Sequence, residues 1–97
     1  MFDWDDANTA HIAEHGVLPN EAEEVISKNP LDIEYSIRNG EARLRQVGET
    51  LAGRILAIVS TIRNQRIRVI TSYPASRALR GTYLQYKKGK DGKASSS

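Results

Sequence analysis

Cysteine is absent from the 97 residues. That excludes a disulfide framework, a thiol nucleophile and a thiolate metal site, and it fits a reducing compartment. No apolar run approaches the roughly 18 residues of a membrane span, so no membrane association is expected. Positive charge is nearly missing from the first 35 residues, where Lys28 stands alone. The opening Met-Phe-Asp-Trp-Asp-Asp is acidic where a secretory signal would be basic, and the expected location is the cytoplasm. There is no glycine-rich phosphate loop, no serine in a nucleophile-elbow pattern and no pair of carboxylates standing out in the C-terminal half. What is present, 39% hydrophobic and 27% charged residues, describes one soluble globular domain with a modest core.

The net charge of +2 conceals a division. Residues 1–35 carry nine acidic side chains against Lys28, a net −8. Residues 36–97 carry thirteen basic side chains, nine of them arginine, against Glu41, Glu49 and Asp91, a net +10. Such asymmetry points to one face for a polyanion or an acidic protein. The arginine bias favours phosphate or carboxylate, each of which accepts paired hydrogen bonds from a guanidinium.

Periodicity predicts a short strand over residues 1–5, then a helix over 6–15 capped by Asp5 or Asp6 and ended by Gly16. Pro19-Asn20 opens a second helix over 21–28, with Ala22, Val25 and Ile26 as its apolar stripe. From residue 31 the pattern is sheet. Leu31, Ile33, Tyr35 and Ile37 alternate with polar residues, and Asn39-Gly40 is a strong hairpin turn. The return strand over 41–47 carries Arg43 and Arg45 on one side. Strands over 54–62 and 66–73 follow, joined by Asn64-Gln65. Ser76 caps a last helix running to about Tyr86. The predicted architecture is an α+β two-layer domain over residues 1–88: an antiparallel meander with two N-terminal helices and a C-terminal helix. Residues 89–97, poor in apolar side chains, read as a disordered tail.

The turn at Asn64-Gln65 sets Arg63 opposite Arg66 and Thr61 opposite Arg68, so Arg63, Arg66 and Arg68 share a face. Three cations there repel one another unless an anion sits among them. On the last helix Arg77, Arg80 and Tyr83 follow at spacings of three and suit a phosphate and a stacked base; core packing of Tyr83 and Leu79 is the plainer alternative. His11-Ile-Ala-Glu-His15 matches a zinc-binding pattern, but the helix ends directly at Gly16 and no third ligand follows, so no metal site is expected. His15 reads either as a partner of the helix C-terminus or as a proton-transfer group.

Taken in order, a set of short segments resembles the BrnT toxin family of bacterial type II toxin–antitoxin systems. They are Phe2-Asp3-Trp4-Asp5, His15-Gly16-Val17, Glu21-Ala22, Asn29-Pro30-Leu31, Glu41-Ala42-Arg43, Val47-Gly48, Arg63, Arg66-Ile67-Arg68-Val69-Ile70, and Ala75-Ser76 leading to Arg80 and Tyr83. The resemblance covers residues 2–86. It implies a RelE-like fold and an endoribonuclease that needs neither metal nor other cofactor and inhibits translation. It also implies a BrnA-type antitoxin that neutralises the toxin and contacts DNA, so that DNA is reached only through the complex. On this chain the implied catalytic residues are Arg63, Arg68, Arg80 and His15, with Arg43, Arg66, Arg77, Tyr73 and Tyr83 binding RNA. The chain departs from the family pattern at Tyr73, where arginine is usual, at Leu79, where glutamate is usual, and at Pro74. An acidic antitoxin segment would be expected to relieve the repulsion on the arginine face. Two other classes explain the charge as well: a noncatalytic nucleic-acid-binding module, and a protein-interaction domain with a basic face.

Overall fold

Two tight turns set the sheet. Asn39 and Gly40 have φ of 51° and 78°, and Asn64 and Gln65 have 53° and 64°. Positive φ at both central residues matches the right-handed twist of the strands that each turn joins. In the computed structural model, which describes the backbone of residues 1–96 and the side chains of residues 1–90, these turns link β1 (Leu31–Arg38) to β2 (Glu41–Glu49) and β3 (Ile55–Arg63) to β4 (Arg66–Pro74). The sheet is an antiparallel meander in the order β1-β2-β3-β4. Helices α1 (Asp6–Ala13) and α2 (Pro19–Ser27) precede it, and α3 (Arg77–Ser96) follows. The fold is α+β with the predicted element order. The predicted end near Tyr86 falls short, since α3 continues; the tail expected over residues 89–97 falls largely outside the described side chains. No described helix is long and apolar enough to cross a membrane.

The N-terminal segment forms a single parallel bridge, Phe2 to Ile67, in place of a full strand. Asp3 N–H donates to the Ile67 carbonyl and Ile67 N–H to that of Met1, each at 2.8 Å. Asp5 then caps α1: its Oδ1 accepts from Asn8 N–H at 3.1 Å, while Asn8 Oδ1 accepts from Asp5 N–H at 2.8 Å, a reciprocal arrangement that satisfies two orphan donors. The buried Asn8 amide also donates to the Asp3 and Val69 carbonyls, which ties α1 to the β4 edge. Gly16, at φ +74°, ends the turn beyond α1.

Register assigns each strand residue to a face. Gly48, Leu56, Ile58 and Val69 lie under α1 and α2, where Leu56, Ile58 and Val69 join Ile12, Val17, Ala22 and Val25 in one core, with Trp4 and Ile26 packed against it. The opposite face holds Arg43, Arg45 and Val47 on β2 and Ala57, Val59 and Thr61 on β3. Val47 and Ala57 are fully buried there, at the end that α3 crosses with Tyr83 (5% exposed) and half-buried Leu79. Lys87 anchors α3 to Glu49 at 2.7 Å. Ile33 is the extra residue of a bulge between Asp32 and Glu34. It breaks the alternation of β1, and past it Tyr35 and Ile37 are 67% and 64% exposed.

Arg54 clamps the loop before α2. Its Nη1 donates to both carboxylate oxygens of Glu21, at 2.9 and 2.8 Å, and to the Gly16 carbonyl. Burial pushes the Glu21 carboxyl upward, but the bonds from Arg54 and from Leu18 N–H outweigh it, so the net shift is downward. Glu49 is lowered chiefly by Lys87, against burial. Depressed carboxylate pKa values stabilise the fold above the ordinary carboxylate range, and that stability disappears as pH falls through the depressed values. The urea midpoint is therefore expected to hold steady near neutrality and to fall on acidification. Arg54→Ala should lower it near neutrality and flatten the acid limb; an unchanged acid limb would show that Glu21 does not contribute.

A Cβ on Gly48 would lie 2.8 Å from Val25 Cγ1 and 3.2 Å from Pro30 Cβ, whereas one on Gly81 would meet nothing within 4 Å. Gly48→Ala should destabilise by about 1–3 kcal/mol through overpacking. Gly81→Ala, in the body of α3, should stabilise by up to about 1 kcal/mol. Opposite shifts in thermal midpoint are the expected result; shifts of the same sign would contradict the packing of α2 on β2.

Candidate functional site

The predicted register of the β3–β4 hairpin is the observed one. Arg63 pairs with Arg66 and Thr61 with Arg68, which puts all three arginines on one face. The anions that separate two of them come from the chain itself. Arg63 Nη2 donates to Glu41 Oε2 at 2.7 Å. Arg68, with a side chain only 14% exposed, meets Asp5 at 3.0 Å and Asp3 at 3.4 Å. The bond from Arg68, with Asn8 N–H beside it, holds the Asp5 carboxyl below the ordinary range, and Asp5 in turn raises Arg68. Glu41 is lowered mainly by Arg63. The acidic N-terminus thus contributes a counterion to the basic hairpin. Arg66 remains exposed and makes no ion pair among the described residues.

A different pair of arginines is less well satisfied. Arg43 and Arg45, two apart on β2, point to the same face. The Nε of each is buried without a hydrogen-bond partner, and leaving such a donor unpaired costs roughly 1–3 kcal/mol. Arg43 also lies 3.4 Å from Glu41, a carboxylate already engaged by Arg63. Arg45 has no ion pair among the described residues. Both line a cleft of about 240 Å³ together with Ser36, Arg38, Thr71 and Tyr73. An adjoining depression, lined by His11, Arg63 and Arg68, shares Arg43 with it.

Helix α1 carries one imidazole, His11, to the adjoining depression, and the turn after α1 carries a second, His15, beside Tyr73. The ring of His15 lies 6.1 Å from that of Tyr73, edge to face, and 5.5 Å from His11. His15 is exposed. His11 instead faces Glu14 at 3.8 Å. Among the described residues, no three His, Asp or Glu side chains are grouped to share a metal ion, so the zinc-like spacing in α1 does not form such a cluster.

The structure therefore gathers Arg43, Arg63, Arg68, Tyr73 and His15 on one side of the sheet, and with them Arg45. Arg45 was seen in the sequence as sharing a side with Arg43 but not as a site residue; its signal was the spacing of two. Arg77 and Arg80 lie exposed on α3, where Ser76 Oγ accepts from Leu79 N–H at 3.2 Å and caps the helix as predicted. Tyr83 is turned into the core; burial, with Glu49 beside it, raises its hydroxyl, and its ring is not offered to a base.

A family model described as "Ribonuclease toxin, BrnT, of type II toxin-antitoxin system" matches residues 4–78. No curated protein matches the chain. The matched region runs from Trp4 through all four strands to the first residues of α3, and so includes every cleft residue named above. With more than three quarters of its length matched, the chain belongs to the BrnT family of ribonuclease toxins of type II toxin–antitoxin systems.

Proposed function

We propose that the arginine-lined cleft is where this ribonuclease toxin cleaves RNA, and that it does so through the 2′-hydroxyl without a bound metal. The observation that supports this reading is the Arg43–Arg45 pair, two half-buried guanidinium side chains lining one cleft, of which Arg45 has no ion pair among the described residues. A phosphodiester in the cleft would be held by both side chains, since its non-bridging oxygens accept paired bonds from guanidinium groups.

Attack of the 2′-oxygen on the adjacent phosphorus forms a cyclic phosphate and expels the 5′-oxygen. The step needs a base for the 2′-hydroxyl proton, cations for the crowded phosphorane and an acid for the leaving oxygen. Arg43 and Arg45 stand where the phosphorane charge would develop. Arg68 and Arg63 border the cleft with charges held in place by Asp5 and Glu41. His15 takes the 2′-hydroxyl proton, and the Tyr73 hydroxyl or water gives one to the leaving 5′-oxygen. Arg66, Arg77 and Arg80 extend the positive field along the flanking backbone. Translation would be inhibited by loss of the RNA it depends on, and a BrnA-type antitoxin would neutralise the toxin and carry the complex to DNA.

Purified protein is expected to cleave RNA in excess EDTA, leaving 2′,3′-cyclic phosphate ends. Activity lost in EDTA and regained with a divalent cation would overturn the metal-free step. Arg45→Ala should reduce cleavage about a hundredfold, the scale of removing one charge-stabilising donor at a transition state. Lys88→Ala, exposed on α3, should alter it by less than about twofold because salt screens its field. Tight RNA binding with no cleavage by the unmodified chain would instead select the noncatalytic module.

A further inference from the structure

The other face of the sheet is unfinished. Helices α1 and α2 cover only one end of it. Towards the hairpin tips they leave a groove of about 650 Å³, walled by Ile26 of α2 and floored by Tyr35, Leu44, Ile62 and Ile67 from the four strands. Ile37, paired with Ala42, shares that face beside Tyr35. Tyr35, Ile37 and Ile62 are 67%, 64% and 67% exposed. Three large apolar side chains exposed together on a small domain mark an interaction surface.

We propose that this groove receives an amphipathic helix of the antitoxin, lying across the strands beside α2 and acidic where it meets the hairpin tips. That a protein partner exists follows from the family, since a type II toxin is paired with an antitoxin; the proposal rests on that membership and not on the catalytic roles given above. Geometry suits the occupant. Four strands spaced about 4.8 Å apart put about 14 Å between the outer two. A helix rising 1.5 Å per residue crosses that width in about ten residues, and its diameter of about 10 Å fits beside α2. Apolar residues at i, i+3 or i+4, and i+7 would meet Tyr35, Leu44 and Ile62 in turn. The helix would complete the layer that α1 and α2 begin.

Charge selects the flank. At the same end of the sheet, Arg38 and Arg66 stand at the two hairpin tips with their side chains on the opposite, arginine face, and neither has an ion pair among the described residues. An acidic partner chain leaving the groove would meet them only after rounding the hairpin tips. The expectation that an acidic segment is needed to relieve the Arg63/Arg66/Arg68 cluster is weakened by the structure, because Glu41, Asp3 and Asp5 already serve Arg63 and Arg68. The anchoring surface is therefore the apolar groove, with Arg38 and Arg66 beyond the hairpin tips on the other face.

The test uses the full chain and, as probe, the antitoxin encoded by the neighbouring gene. Binding, RNA cleavage and sedimentation are measured for the wild type, Ile62→Glu, Tyr35→Glu, Ile62→Leu and Arg45→Ala, each checked for an unchanged circular dichroism melt. Ile62→Glu and Tyr35→Glu should weaken antitoxin binding at least a hundredfold and leave cleavage by the free toxin within twofold; both positions are exposed, so folding is spared. Ile62→Leu should bind as the wild type does. Arg45→Ala should bind within threefold while losing cleavage; retained cleavage there would overturn the assigned active site alone. Full affinity in both glutamate variants would overturn the groove. So would a wild-type dimer that Ile62→Glu converts to monomer without a change in antitoxin affinity, since the occupant would then be a second copy of the chain.

Discussion

Strand register is the constraint from which the rest follows. The turns at Asn39-Gly40 and Asn64-Gln65 fix which residues oppose one another, and the period of two then separates the side chains of each strand between two faces. A slip of one residue in β3 would carry Arg63 to the apolar face and Ile62 to the charged one, and a slip in β4 would do the same to Arg66 and Arg68 against Ile67. Both surfaces that matter for function, the arginine cleft and the exposed apolar groove, are consequences of the same pairing. Bulges at Ile33 and between Val59 and Ser60 adjust that pairing where the faces must change.

Charge organisation comes next. The division of the chain into an acidic and a basic half has a structural use: Asp3 and Asp5 reach Arg68, and Glu21 reaches Arg54. Asp5 acts twice, as the cap of α1 and as the counterion of Arg68, so the helix that carries His11 and leads into His15 and the strand that presents Arg68 are held by one carboxylate. The cations left over are the ones without such partners. Arg45 on β2, Arg66 on the hairpin tip and Arg77 and Arg80 on α3 have no ion pair among the described residues, and of these Arg45 lines the cleft beside Arg43.

Much of the fold was legible because its signals are local. Asn-Gly, Pro-Asn, the Ser76 cap and the alternation of β2, β3 and β4 each act within a few residues, and each leads to the observed element. The shared face of Arg63, Arg66 and Arg68 follows from one turn and the strand period. By contrast, the burial of Tyr83 depended on where α3 crosses the sheet, and helical spacing alone supported both a core and a base-stacking role.

The sequence by itself determined the element order, the turns, the capping of α1 and α3, the split of charge along the chain and the family. Tertiary structure decided which arginines are spent on internal carboxylates and which are not, because Asp5 and Arg68 are 63 residues apart and nothing local relates them. It also decided that His15 meets Tyr73, through the docking of α1 along β4 by Asn8. The apolar groove exists for the same kind of reason: two short helices cannot cover a four-stranded sheet. How much of that sheet remains bare depends on where they pack, not on the residues within it.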